Sequence, residues 1–287
     1  MLKQRKKLGR QNSRSNMETI NWSGLTHPGR FRKNNEDSFL ATNLNGPEVL
    51  LLGKQGSGSL ESDGDFIFAV SDGMGGANAG EFASRIAVDF ITKRLPQSFR
   101  LGAIGLPQSY HEFLGELFEE VNREMSSMSF HYEECRDMGA TLSLCWFTPE
   151  WMYFAHIGDS RIYYLPKDGG LKQLTHDHTY PGELLRKGRL NERQQRTHPE
   201  KHILLRSLGG KSDGIEPQFG AVGFETGDTF VINSDGINDG VWDRRLEELV
   251  RNPPRLLAEL QPADRLVKDS MEESGRDNLT AIVVSIC

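Results

Sequence analysis

Apolar positions change period along the chain. Beyond residue 76, Phe82, Ile86 and Phe90 recur at helical spacing with Ala79, Ala83 and Ala87 beside them; from about 109 to 128, Phe113, Leu117 and Val121 mark one helix face, with Leu114 and Phe118 adjoining. The methionines of this second run read as core filler. From Ala140 the period becomes that of strands. ATLSLCWF, WMYFAHI and RIYYL, separated by TPE and GDS turns, predict an antiparallel meander. Residues 37–41 and 66–70 read as earlier strands, DTFVINSD and NLTAIVVSI as later ones. The Gly/Ser-rich stretch 53–64 reads as a loop or mobile insertion. Residues 175–208 are polar and rich in His and Arg, with short helical pieces at 182–187 and 191–195, and two helices are expected at 243–250 and 254–270. Helices and strands fall in runs, which favours an α+β layering of sheets flanked by helices over a doubly wound parallel fold.

Composition narrows the class. At 287 residues and 37% hydrophobic content the chain can bury a substantial core, and a single domain is expected over 19–287, with 43–65 as a flexible insertion. Cys135, Cys145 and Cys287 are odd in number and lack CxxC spacing, which argues against a disulfide framework or zinc ribbon and for a reducing compartment. No apolar stretch approaches the roughly 20 residues that span a bilayer, and no signal-peptide core is present, so a cytoplasmic location is expected. The first 16 residues carry Lys3, Arg5, Lys6, Lys7, Arg10 and Arg14 and no acid, leaving 28 basic against 40 acidic residues in the remainder. The tail, residues 1–18, is expected to be disordered. The acidic body argues against nucleic acid as substrate and for attraction of divalent cations.

The acids that matter are Glu36 and Asp37 in RKNNEDSF, Asp72 in AVSDGMGG, Asp159 in IGDSR, Asp235 in INSDGIND and Asp277 in GRDNLT. Most end a short apolar run, where a rigid strand presents them in fixed geometry. Alone, Asp72 could as well cap a tight turn. Several such acids from distant segments repel one another unless a counter-charge joins them. Hard cations such as Mg²⁺ and Mn²⁺ take oxygen ligands and few carboxylates each, and glycines such as Gly73 let a backbone carbonyl approach an ion. A pair of such ions can activate a bridging hydroxide and stabilise in-line displacement at phosphorus. Arg32, four residues before Glu36, can grip two phosphate oxygens, or form a surface salt bridge. The chemistry expected is metal-assisted phosphoester hydrolysis. His176 and His178 lack further ligands at zinc spacing.

The ordered set FRKNNEDSF, VSDGMGG, MGATL, IGDSRIY, LTHDHT, HPEKHILLRSLG, INSDGIND and GRDNLTAIVV, over about 21–286, resembles the metal-dependent Ser/Thr protein phosphatases of type 2C (PPM), bacterial branch. The resemblance implies a four-layer α/β/β/α sandwich, its central antiparallel β-sandwich carrying the metal site at one end. It implies Asp72 bridging two Mn²⁺ or Mg²⁺ ions, Glu36 and the Gly73 carbonyl on the second, Asp235 and Asp277 on the first. Asp37 would act through water, and Asp159 with Asp235 would hold a weaker third metal. By the same resemblance 175–208 is a flap at the active site. The substrates implied are phosphoserine and phosphothreonine proteins of a Ser/Thr kinase, attacked directly by the metal-bridging hydroxide, with phosphotyrosine weaker; a monomer is expected.

Two positions depart from the pattern. Met74 stands where animal relatives often carry a His proposed as general acid, so a metal-bound water near Asp159 is the expected proton donor. His27 stands where bacterial relatives often place Asp, with a local structural effect expected. The alternatives are a catalytically weak binding module of the same fold and a two-metal small-molecule or nucleotide phosphatase. Gly210, Ser212 and Gly214 match G-x-S-x-G, but no His follows His202, which excludes a serine hydrolase.

Overall fold

The computed structural model describes residues 19–75, 79–103, 110–210 and 215–287. The basic tail and the Ser212 and Gly214 positions lie outside them. The strands are β1 (Thr19–His27), β2 (Asp37–Asn45), β3 (Glu48–Leu51), β4 (Gln55–Ser59), β5 (Asp65–Met74), β6 (Gly139–Ala140), β7 (Leu142–Phe147), β8 (Trp151–Ile157), β9 (Arg161–Leu165), β10 (Lys172–Gln173), β11 (Leu208–Gly209), β12 (Gln218–Gly223), β13 (Thr229–Asn233) and β14 (Leu279–Ile286). The helices are α1 (Ala79–Ala103), α2 (Tyr110–His131), α3 (Tyr180–Arg186), α4 (Glu192–Arg196), α5 (Asp235–Gly240), α6 (Asp243–Arg251) and α7 (Pro262–Glu273).

The strands form two antiparallel sheets. One runs β10-β9-β13-β14-β1-β4; in the other β5 lies between β2 and β7, with β3 outside β2, β8 and β12 outside β7, and β6 and β11 at the far end of β5. Side chains alternate across each strand, so a strand covered on both faces reads as a continuous apolar run. In β14, Ile282, Val284 and Ile286 meet Phe68, Val70, Phe147 and Phe230 between the sheets. Leu279, Ala281 and Val283 face the opposite way, packing with Ile237, Leu246 and Leu266 of α5, α6 and α7. In β5, Ile67 and Ala69 pack under α1 and α2 while Phe66, Phe68 and Val70 point to the other sheet. The result is the expected α/β/β/α sandwich.

Four details differ from the sequence expectation. The meander breaks after β8: β9 pairs with β13 and β10 in the opposite sheet, and the chain crosses between sheets at Gly158, where φ is +110°. The Gly/Ser-rich stretch is not loop throughout, because residues 55–59 form β4, which pairs along β1 from Thr19↔Ser59 to Ser23↔Gln55. Its glycines admit aromatic rings: a Cβ at Gly56 would lie 2.3 Å from Trp22, and one at Gly58 2.4 Å from Phe66. On α1 the buried stripe is Ala79, Ala83, Ala87, Ile91 and Leu95, while Phe82 stays 40% exposed. Small side chains on the packing face let this helix lie close over β2 and β5. The helix expected from 254 begins only at Pro262.

Candidate active site

Antiparallel register brings the predicted acids to one end of the sandwich. Asp37 opens β2 directly opposite Asp72 near the end of β5, with Glu36 and Gly73 alongside. In the other sheet Asn233 pairs with both Ala281 and Arg161, so the end of β13 meets the starts of β14 and β9. Asp235, Asp277 and Asp159 flank those three ends. Hydrogen bonds stitch the sheets there: Ser234 Oγ donates to Asp37 Oδ2 at 2.7 Å, Glu36 N to Asn278 Oδ1 at 2.7 Å, and the Thr141 and Ser160 hydroxyls lie 2.8 Å apart.

A polar frame holds the surrounding backbone. Asn278 Nδ2 donates to the carbonyls of Pro28 and Asn34, pinning the turn that carries Arg32. Asp72 N donates to Thr141 Oγ1 at 2.9 Å, and Thr141 N returns a bond to Asp72 O. Gly73 N donates to Glu36 O. A Cβ on Gly73 would sit 1.8 Å from the Gly80 carbonyl oxygen, and one on Gly80 2.7 Å from Glu36 Oε1. The first turn of α1 therefore closes directly over Glu36, and only glycine fits at the crossing.

The carboxylates share one electrostatic field. Asp72 is held well above the ordinary carboxylate range, first by burial and then by the charges of Asp37, Asp235, Asp159 and Asp277. Burial, only partly offset by the Thr280 and Ser234 hydroxyls, lifts Asp37 to about 7. Asp159 rises through burial and the charges of Asp235 and Asp177, Asp235 through burial despite His202, and Glu36 through burial against the pull of Arg32. Like charges opposite one another on paired strands are destabilising. So many in one place call for a positive partner.

Two side chains meet part of that demand. Arg32 Nη2 lies 2.9 Å from Asp277 Oδ2, and His202 Nδ1 3.4 Å from Asp235 Oδ2. As the side chains stand, no group of three or more His, Cys, Asp or Glu among the described residues is placed to hold a metal ion. The donor set nonetheless suits a hard cation, being all oxygen. Asp37 Oδ1 is buried with no hydrogen-bond partner, an acceptor that a cation or its water would satisfy.

Several neighbours escaped sequence reasoning. Residues 175–208 lie against α5: Lys201 Nζ is 2.5 Å from Asp239 Oδ1, and Arg196 donates to the carbonyls of Asn238 and Val241 and pairs with Asp243. Asp159, Lys201, His202 and Asp235 line one polar recess with the buried pair Arg161 and Asp177. The cue for Asn278 and Ser234 was their place beside Asp277 and Asp235. No comparable cue marked Arg196 or Lys201. His178 is a core residue whose Nδ1 accepts from Gly158 N, and His156 beside it, bonded to Ser143, is lowered to about 3 by burial.

Comparison with known proteins identifies the family and supports the fold. The family model described as protein phosphatase 2C matches residues 56–280. The serine/threonine phosphatase Stp of Listeria monocytogenes is 32% identical over 260 residues, covering 90% of this chain and 93% of that protein. The crystal structure of the Mycobacterium tuberculosis serine/threonine phosphatase PstP superimposes with a TM-score of 0.74 at 27% identity, covering 93% of this chain and 98% of that one. The catalytic domain of PstP in complex with 2 manganese ions gives a TM-score of 0.72 at 25% identity over 94% of this chain and 99% of that one. Among the described residues no helix is long and apolar enough to cross a membrane. The chain belongs to the protein phosphatase 2C family, the metal-dependent Ser/Thr protein phosphatases.

Proposed function

We propose that this chain removes phosphate from serine and threonine side chains of proteins, using two Mn²⁺ or Mg²⁺ ions. The observation that carries this reading is the convergence of Asp37, Asp72, Asp159, Asp235 and Asp277 into one shared electrostatic field at the end of the sandwich, with Glu36 at its edge. Asp72, Glu36, the Gly73 carbonyl, Asp235 and Asp277 would hold the ions, with Asp37 acting through water. Asp159, beside Asp235 in the same recess, offers a weaker third position. When bound, such ions acidify a water to a nucleophile and neutralise the phosphoryl oxygens.

The chain's own groups do the rest. Arg32, half exposed and tethered to Asp277, can turn its free guanidinium edge to two phosphate oxygens and orient the ester. Gly73 and Gly80 keep α1 tight against Glu36. Asp159 would orient the water that gives its proton to the departing alkoxide. Residues 175–208 form one wall, a flap tied to α5 through Lys201 and Arg196, and limit which polypeptides approach.

Release of phosphate from phosphoserine and phosphothreonine peptides, with and without Mn²⁺, tests the reading beside AMP and ATP. The expected result is peptide turnover that requires Mn²⁺ and is abolished by a chelator, with weaker action on phosphotyrosine. Turnover of nucleotides alone would replace the protein substrate by a small one.

A further inference from the structure

Beside the acids lies a second feature that the chemistry does not use. The first turn of α1 and the short 3-10 turn Glu133–Cys135 that follows α2 border an open, largely apolar cavity of about 400 Å³, lined by Ala79, Glu81, Phe82, Arg85, Glu134 and Cys135. Phe82 is 40% exposed there, although the opposite stripe of the same helix is fully packed. Leaving so large a ring half in water is unfavourable in the isolated protein.

The cavity adjoins the candidate active site. Ala79 lines it, and Gly80, the next residue, is the one packed against Gly73 and Glu36. Glu81, which also lines the cavity, lies near enough to Glu36 for its charge to raise that carboxyl, so one edge of the cavity borders the acids while Phe82 sits farther round the helix. An extended polypeptide advances about 3.3 to 3.6 Å per residue. A chain whose phosphorylated residue reaches Glu36 and Asp72 can therefore lay a near neighbour over this cavity. The rim adds a charge preference. Arg85 leans toward Glu81 at 3.9 Å and Arg136 pairs with Glu133 at 2.8 Å, while Glu134 has no ion-pair partner among the described residues.

Resting on the phosphatase reading, we infer that this cavity receives a large apolar side chain of the phosphoprotein substrate, a few residues from the phosphorylated serine or threonine, with a lysine or arginine of the same segment meeting Glu134. It would make Phe82 and Glu134 specificity residues for flanking sequence, with no part in the chemistry.

The test compares kcat/KM on phosphopeptides carrying Leu or Gly, and Lys or Glu, at positions near the phosphoserine, with p-nitrophenyl phosphate as a substrate too small to reach the cavity. For wild type, a Leu flank is expected to exceed a Gly flank by about tenfold. Phe82→Ala should erase that advantage through KM and leave p-nitrophenyl phosphate turnover unchanged. Glu134→Lys should reverse the preference between Lys and Glu flanks. Equal loss on peptides and on p-nitrophenyl phosphate in Phe82→Ala would overturn the inference, since the ring would then support the fold or the acids. So would a wild-type enzyme that turns over every peptide alike. A wild type inactive on all phosphoesters would instead overturn the phosphatase reading, and this inference with it.

Discussion

Asp72→Asn lowers turnover of a phosphopeptide by about 10³-fold or more, a loss of several kcal/mol of transition-state stabilisation. The carboxylate is central to the acidic field, feeling Asp37, Asp235, Asp159 and Asp277 at once. Asparagine keeps its shape and one acceptor oxygen but removes the charge that would hold two cations together. The same change relieves repulsion in the metal-free protein, because the buried carboxylate gains nothing from neighbours of its own sign. The variant is therefore expected to unfold in urea at a midpoint no lower than wild type. Steady-state kinetics and a urea curve on one preparation check both halves, and retained turnover would remove Asp72 from the centre of the site.

Asp177→Ala acts on stability instead, and costs about 3 to 5 kcal/mol. Arg161 is 5% exposed and Asp177 8%, and they meet in a bidentate pair with Nε to Oδ1 at 2.9 Å and Nη2 to Oδ2 at 2.7 Å. Gln195 and Gln173 complete the acceptors of Asp177, and Tyr163 OH takes the remaining guanidinium bond. Removing the acid strands a cation in the interior. A loss of that size is a large share of the roughly 5 to 15 kcal/mol that holds a typical domain together. Replacing both partners, as in Arg161→Met with Asp177→Leu, should restore most of the stability, because no uncompensated charge remains. Denaturant titration of the single and double variants checks this. A single variant as stable as wild type would show that solvent reaches Arg161.

Much of this was legible before any fold was seen, for a physical reason. Strands buried on both faces carry long apolar runs, so NLTAIVVSI and DTFVINSD announced themselves, and the acids at their ends marked the sheet edge. What one chain's pattern does not encode is which strand pairs with which. RIYYL looks like the third member of a meander, yet Gly158 turns it into the opposite sheet, and that crossing is what delivers Asp159 to the site. Gly56 and Gly58 looked like loop, because glycine signals flexibility unless a ring from elsewhere fills its missing side chain. In α1 the alanines were recognised as helical but not as the packing face, since depth of burial depends on how closely the helix approaches β5. The ties from Lys201 and Arg196 to α5 join segments about forty residues apart through polar atoms, and polar side chains carry no periodic signal.

The most direct test of the whole account is a calorimetric titration of the chelator-stripped protein with Mn²⁺. Saturable uptake of about two ions per chain is predicted, falling to about one in Asp235→Asn, whose partner Asp277 alone is too weak to hold the second. Absence of saturable binding, or uptake that ignores loss of the Asp72 and Asp235 charges, would contradict the claim that these acids gather to hold hard cations.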